Sequence, residues 1–164
     1  MTAIRPGRVT DDHEGTLVVF LIGMRVNRWW RPDQWLPPFL GMPRMLTELY
    51  AAQHAGAHGH QGFLGHRSFV GSGGATVLQY WRSVEELNRY AAAVDGEHRP
   101  AWRAFNERVR RAPGAVGIWH ETYVVPAGAH ESIYHDMPAT GLGAVAGLVP
   151  VARRGERARQ RLAA

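Results

Sequence analysis

Histidine carries most of the chemistry available to this chain of 164 residues. There is no cysteine, and all 19 basic residues are arginine. Thiolate ligands, a cysteine nucleophile, Schiff-base lysine chemistry and a P-loop lysine are therefore excluded. Imidazole ionises near neutrality and serves as a base or a metal ligand. Two histidines stand out by position. His98 follows a helical pattern that places it on the side of Val94 and Trp102, and imidazole suits iron. His120 lies in AVGIWHETYVV, where alternation gives it the face of Val116, Ile118 and Thr122 and leaves Trp119, Glu121 and Tyr123 on the other. An imidazole in an apolar pocket makes a good general base. Arg25 and Asn27 end another apolar strand. An asparagine amide steadies an oxyanion or a bound dioxygen species, and an arginine holds a carboxylate. Trp29, Trp81 and Trp102 are candidates to line an aromatic pocket. The stretch with His54, His58, His60 and His66 has one metal-like spacing, but its glycines and lack of nearby acid read as a loop. No Gly-x-Ser-x-Gly elbow is present.

These residues need elements to position them. Residues 1–15 read as a polar arm. The run TLVVFLIGMRVN, from Thr16 to Asn27, is apolar on both faces and predicts a buried central strand. Val18, Phe20, Ile22, Met24 and Val26 share one face; Leu17, Val19, Leu21, Gly23, Arg25 and Asn27 share the other. The following tryptophan- and proline-rich segment reads as a loop to Met42, with a helix from Pro43 to about His54. Two strands joined by GSGG make a hairpin signal. Ser83-Val-Glu-Glu86 is a capping box opening a second helix, and Ala115–Val125 is a last strand. The order β-α-β-β-α-β is the ferredoxin-like plan, with both helices on one face of an antiparallel sheet. Residues 16–126 form this α+β domain, and 127–164 a C-terminal extension with a basic tail. The sheet's other face then needs a cover, either the tail or a second subunit. The two-faced hydrophobicity of the first strand favours a homodimer.

The WRS step into the second helix and the His98/Trp102 pair resemble dimeric α+β barrel monooxygenases of the antibiotic-biosynthesis type. More closely, IGMRVNRWWRPDQWLPPFLGMPRM, LQYWRSVEELNRYA, EHRPAWRAFN, GIWHETYVV and ESIYHDMPATGLG resemble the fumagillin-pathway polyketide monooxygenase-like family, over about residues 16–143. The resemblance implies a dimeric α+β barrel with a pocket between sheet and helices. It also implies oxygen chemistry on a hydrophobic or aromatic small molecule of secondary metabolism, with dioxygen as co-substrate. Some relatives need no cofactor; others bind haem for oxygenation, haem breakdown, aldoxime dehydration or peroxide chemistry. His98 occupies the place of the proximal haem ligand in small haem-binding relatives, and Arg25 or another arginine would meet a propionate. The tryptophan that haem-degrading relatives carry before that histidine is absent here, where Leu87, Asn88 and Tyr90 stand, which argues against haem breakdown. In the cofactor-free version His120 takes a substrate proton and Asn27 steadies the oxyanion. A non-catalytic small-molecule-binding dimer uses the same pocket.

The net charge of +5 comes largely from the termini and from Arg99, Arg103, Arg108, Arg110 and Arg111 on one helix. No nucleic-acid-binding motif accompanies them, so a solvated face and a basic tail account for the charge. The polar start MTAIRPGRVTDDHEG is unlike a signal peptide, and the longest low-polarity run is far short of the roughly 20 residues that span a bilayer. The expectation is a cytoplasmic protein with neither nucleic acid nor membrane as partner.

Overall fold

A computed structural model describes residues 3–55, 62–93, 103, 105–107 and 110–162. Its centre is an antiparallel sheet of β2 (Leu17–Val26), β3 (Phe63–Gly71), β4 (Gly74–Trp81) and β5 (Val116–Val125), in the order β3-β4-β2-β5. The strand read as central lies inside the sheet, flanked by β4 and β5. This is the ferredoxin-like order expected from the sequence. The β3–β4 hairpin turns at Ser72 and Gly73, with φ of 50° and 84°. Two successive positive φ values give a twist that matches the flanking strands. Ser83 caps α2 (Val84–Ala92) by accepting a hydrogen bond from the Glu86 amide.

The first helix differs from expectation. α1 runs from Pro32 to Ala55 and includes Pro37, Pro38 and Pro43, where the sequence predicts a loop to Met42. Each internal proline removes an i→i−4 donor and ordinarily breaks a helix. The helix nevertheless runs through all three, and its later half packs on the sheet: Leu46 and Leu49 are buried there, with Met42 and Tyr50 beside them.

Alternation sorts the sheet into two faces. The helix face carries Val18, Val77, Phe63 and Trp81, which join Leu46, Leu49, Leu87 and Tyr90 in the main core. Edge-on aromatic contacts link Tyr50 to Phe63 and Phe63 to Trp81, at 5.3 and 5.4 Å between centroids. Trp81 donates its indole N–H to Gln79 Oε1 at 2.9 Å, so its polar atom is satisfied inside the core. The outer face is covered at one end by the tail. Leu142 of α3 (Leu142–Ala146) packs on Leu17 and Tyr80, with Val145 and Ala146 alongside.

Residues read as a polar arm contribute a strand. β1 (Ile4–Asp11) pairs with β6 (Tyr134–Pro138) and β7 (Leu148–Pro150) in a second antiparallel sheet. The tail continues through a 3-10 turn at Val151–Arg153 and the short helix α4 (Ala158–Arg161). Exposure of Ile4 to Arg8 left β1 without an alternating apolar signature.

Candidate functional site

Strand register decides which candidates meet. His120 pairs with Ile22, and Trp119 with Gly23. His120 therefore shares the helix face with Ile22 and Phe20, and its ring lies 5.9 Å from that of Phe20. Around it are half-buried Met24 and Ile118 and exposed Thr122. His120 is exposed and makes no hydrogen bond within the described residues. It is an accessible imidazole on an apolar floor, suited to exchanging a proton with a small molecule laid across it.

Arg25 and Asn27 do not join it. Arg25 pairs with Gly117 and so belongs to the outer face, opposite His120. Arg25 Nε donates to Asn27 Oδ1 at 3.2 Å, and both side chains are exposed. The sequence pattern placed each residue on its own strand face correctly. Only the pairing of β2 with β5 shows that the base and the oxyanion candidates are on opposite sides.

The tryptophans also divide. Trp81 is fully buried core and lines no accessible surface, which corrects its reading as a pocket residue. Trp29 is exposed, with its ring edge-on to Trp35 at 5.8 Å, and Trp35 donates its N–H to the Trp29 carbonyl. His98 and Trp102 lie outside the described residues, as do His58 and His60. His54 is exposed at the end of α1 and His66 lies in β3. His66 Nδ1 is 3.0 Å from the Tyr50 hydroxyl, and burial pushes its pKa below the ordinary imidazole value. Among the described residues, no group of three or more His, Asp or Glu side chains could hold a metal ion.

Sequence reasoning missed a polar cluster between the ends of the chain. Asp11 is buried and accepts from Ser132 Oγ at 2.7 Å, from the His13 amide at 2.9 Å and from His130 Nε2 at 3.1 Å. Burial alone would raise the Asp11 pKa; the bonds from Ser132, His13 and His130 outweigh it and hold the carboxyl below its usual value. Arg154 donates to the carbonyls of Asp11 and His13. Nearby, a cavity of about 360 Å³ is lined by residues 12–15, Ala127, Gly128, Arg153 and Arg154. No spacing rule links Asp11 to residues more than a hundred positions away, so the sequence held no signal for this cluster.

The model of the Monooxygenase af470-like family matches residues 17–142. The chain belongs to that family. It is 34% identical over 64 residues to monooxygenase af470 of Aspergillus fumigatus, a match covering 38% of this chain and 22% of that protein. Its fold is similar to that of aldoxime dehydratase OxdRE, solved with butyraldoxime, with a TM-score of 0.64 at 18% identity over 86% of this chain. A second aldoxime dehydratase gives a TM-score of 0.60 at 20% identity over 87% of this chain. The matches take in 40% and 42% of those two solved chains. This chain thus matches under half of each of these proteins. Likeness at such identity establishes the fold and leaves the chemistry to the residues. No described helix is long and apolar enough to cross a membrane.

Proposed function

We propose that this chain is a monooxygenase-like oxidoreductase that joins dioxygen to a hydrophobic or aromatic small molecule of secondary metabolism. Membership of a monooxygenase family supports the reaction class. The observation that carries the site is His120, exposed above Phe20 on the helix face of β2 and β5. His120 takes a proton from an acidic substrate such as a phenol, whose ring lies on the apolar floor. Dioxygen then adds to the activated carbon. One oxygen atom stays on the substrate and the other leaves as water; a phenol becomes a quinone and supplies all four electrons. This step is drawn without Asn27 and Arg25, which lie on the opposite face.

Haem is the other cofactor state considered. On the helix face the described residues offer His120 as an imidazole without a hydrogen bond, while His66 is held by Tyr50. Arg25, one candidate propionate partner, lies on the outer face of the sheet, opposite His120. The haem reading rests on His98 alone and is separated by absorbance of protein from haem-replete cells. A Soret band lost in His98→Ala would replace the cofactor-free mechanism.

Oxygen uptake with a panel of phenols tests the proposal. His120→Ala is expected to lower the rate by about 100-fold or more, the usual contribution of a general base, while thermal unfolding stays unchanged. Tight binding of a phenol without oxygen uptake would overturn the enzyme reading in favour of a binding protein. We further propose a homodimer closed through the open part of the outer face, beside Trp119 and Tyr123. Light scattering at micromolar concentration should give twice the monomer mass; the monomer mass would refute it.

A further inference from the structure

α1 packs one apolar row on the sheet and, among the described residues, leaves further apolar side chains exposed. Met42, Leu46 and Leu49 pack toward the sheet. Leu36 and Leu40 repeat at i, i+4 on the flank beside that row, and Phe39 continues the row itself toward the start of the helix; Leu36, Phe39 and Leu40 are 41%, 38% and 52% exposed. Immediately before the helix, Trp29 and Trp30 are 58% and 73% exposed. Isolated exposed apolar residues are ordinary, but five within twelve positions form a patch that marks an interaction surface.

The patch is held in place. Trp35 donates to the Trp29 carbonyl, and the amides of Asn27 and Arg28 both donate to the Ala115 carbonyl. Arg31 and Gln34 amides bond to Arg28 and Arg31 carbonyls. Trp29 and Trp30 thus sit on a turn whose flanking amides are hydrogen-bonded.

Its charge indicates the occupant. From Arg28 to Glu48 there are three arginines and two acidic residues, Asp33 and Glu48. Arg31 binds Asp33 through two hydrogen bonds, of 2.9 and 2.8 Å. Arg28 and Arg44 are exposed without an ion pair. A two-fold contact between copies would set this basic rim against itself. An anionic lipid surface complements it, and tryptophan with arginine around an apolar stripe suits the headgroup boundary.

We propose that the start of α1 is a peripheral docking surface for anionic membranes. Trp29, Trp30 and the Leu36–Leu40 stripe enter the boundary between headgroups and acyl chains, while Arg28 and Arg44 meet lipid phosphates. The helix lies on the surface and does not cross it. The expectation of no membrane partner rested on the lack of a spanning segment, which does not bear on surface binding.

Sedimentation of the full chain with vesicles tests this directly. The parent should pellet with phosphatidylcholine–phosphatidylglycerol vesicles at low salt and far less with phosphatidylcholine alone, because the arginines need anionic partners. W29S/W30S should weaken binding by about tenfold or more with unchanged circular dichroism and light scattering. R28E/R44E keeps the apolar groups and should also lose binding to the anionic vesicles. Absence of pelleting by the parent, or binding undiminished in both variants, would overturn the proposal. So would parent protein that self-associates without lipid and is dispersed by W29S/W30S.

Discussion

The two sheets are built on opposite physical principles. The four-stranded sheet is held by apolar contact: Val18, Phe63 and Trp81 are fully buried, and α1 and α2 close over them. The three-stranded sheet is held largely by ionic and polar bonds. Asp11 gathers Ser132, His13 and His130, and buried Arg161 clamps Glu131 at 2.7 Å while donating to the Gly155 carbonyl. Apolar packing is non-directional and depends little on pH, whereas a buried carboxylate depends on its charge and on every partner. The central fold should therefore tolerate acid that opens the terminal sheet.

The sharpest way to break this contrast is to damage each sheet at its anchor. Trp81→Ala empties a filled core site and should cost about 4 kcal/mol, within the range for truncating a buried tryptophan. Urea unfolding should show the loss in one global transition, with both sheets failing together. Asp11→Ala should cost about 3 kcal/mol, because it leaves Ser132 and His130 facing a void. Hydrogen exchange should place that loss in β1, β6 and β7, with β2 and β4 still protected. Equal loss of protection in β2 and β4 would show that the two sheets form one cooperative unit.

Acid probes the same contrast without mutation. The Asp11 pKa is depressed in the folded protein, so its contribution is complete above the unfolded carboxylate value. It is lost as pH falls below about 4, through the lowered folded value. Protection in β1 should fall over that window before protection in β4 does, and Asp11→Asn should remove most of the difference. A pH profile identical in the two sheets would remove Asp11 as the anchor.

The contrast also explains what was legible in the sequence. Apolar alternation is a local signal, so β2 and β5 and the faces of Val18 and His120 could be read directly. The GSGG turn and the Ser83 cap are equally local. Proline's local preference misled at Pro37 and Pro38, which the helix runs straight through. β1 could not be read at all: Ile4–Arg8 is exposed, contains Pro6 and Gly7, and is ordered by partners far along the chain. For the site, the sequence placed His120 and Arg25 on faces of separate strands. Their opposition across the sheet follows from pairing, which no local pattern encodes.

The outer face offers the smallest and most discriminating test. A Cβ built on Gly23 would lie 2.5 Å from the indole of Trp119, so the ring rests directly on bare backbone. Gly23→Ala must push the ring outward. Trp119 is 38% exposed and has room to move in a single chain, which puts the cost near 1 kcal/mol or less. In a dimer closed through this face, the displaced indole would meet the partner subunit instead of solvent. The variant should then unfold almost like the parent but dissociate at higher protein concentration, by about tenfold for each 1.4 kcal/mol lost. Light scattering over a dilution series reads this directly. A parent dimer that Gly23→Ala leaves untouched would move the interface away from Trp119, because a contact made there would have to accommodate the shifted ring.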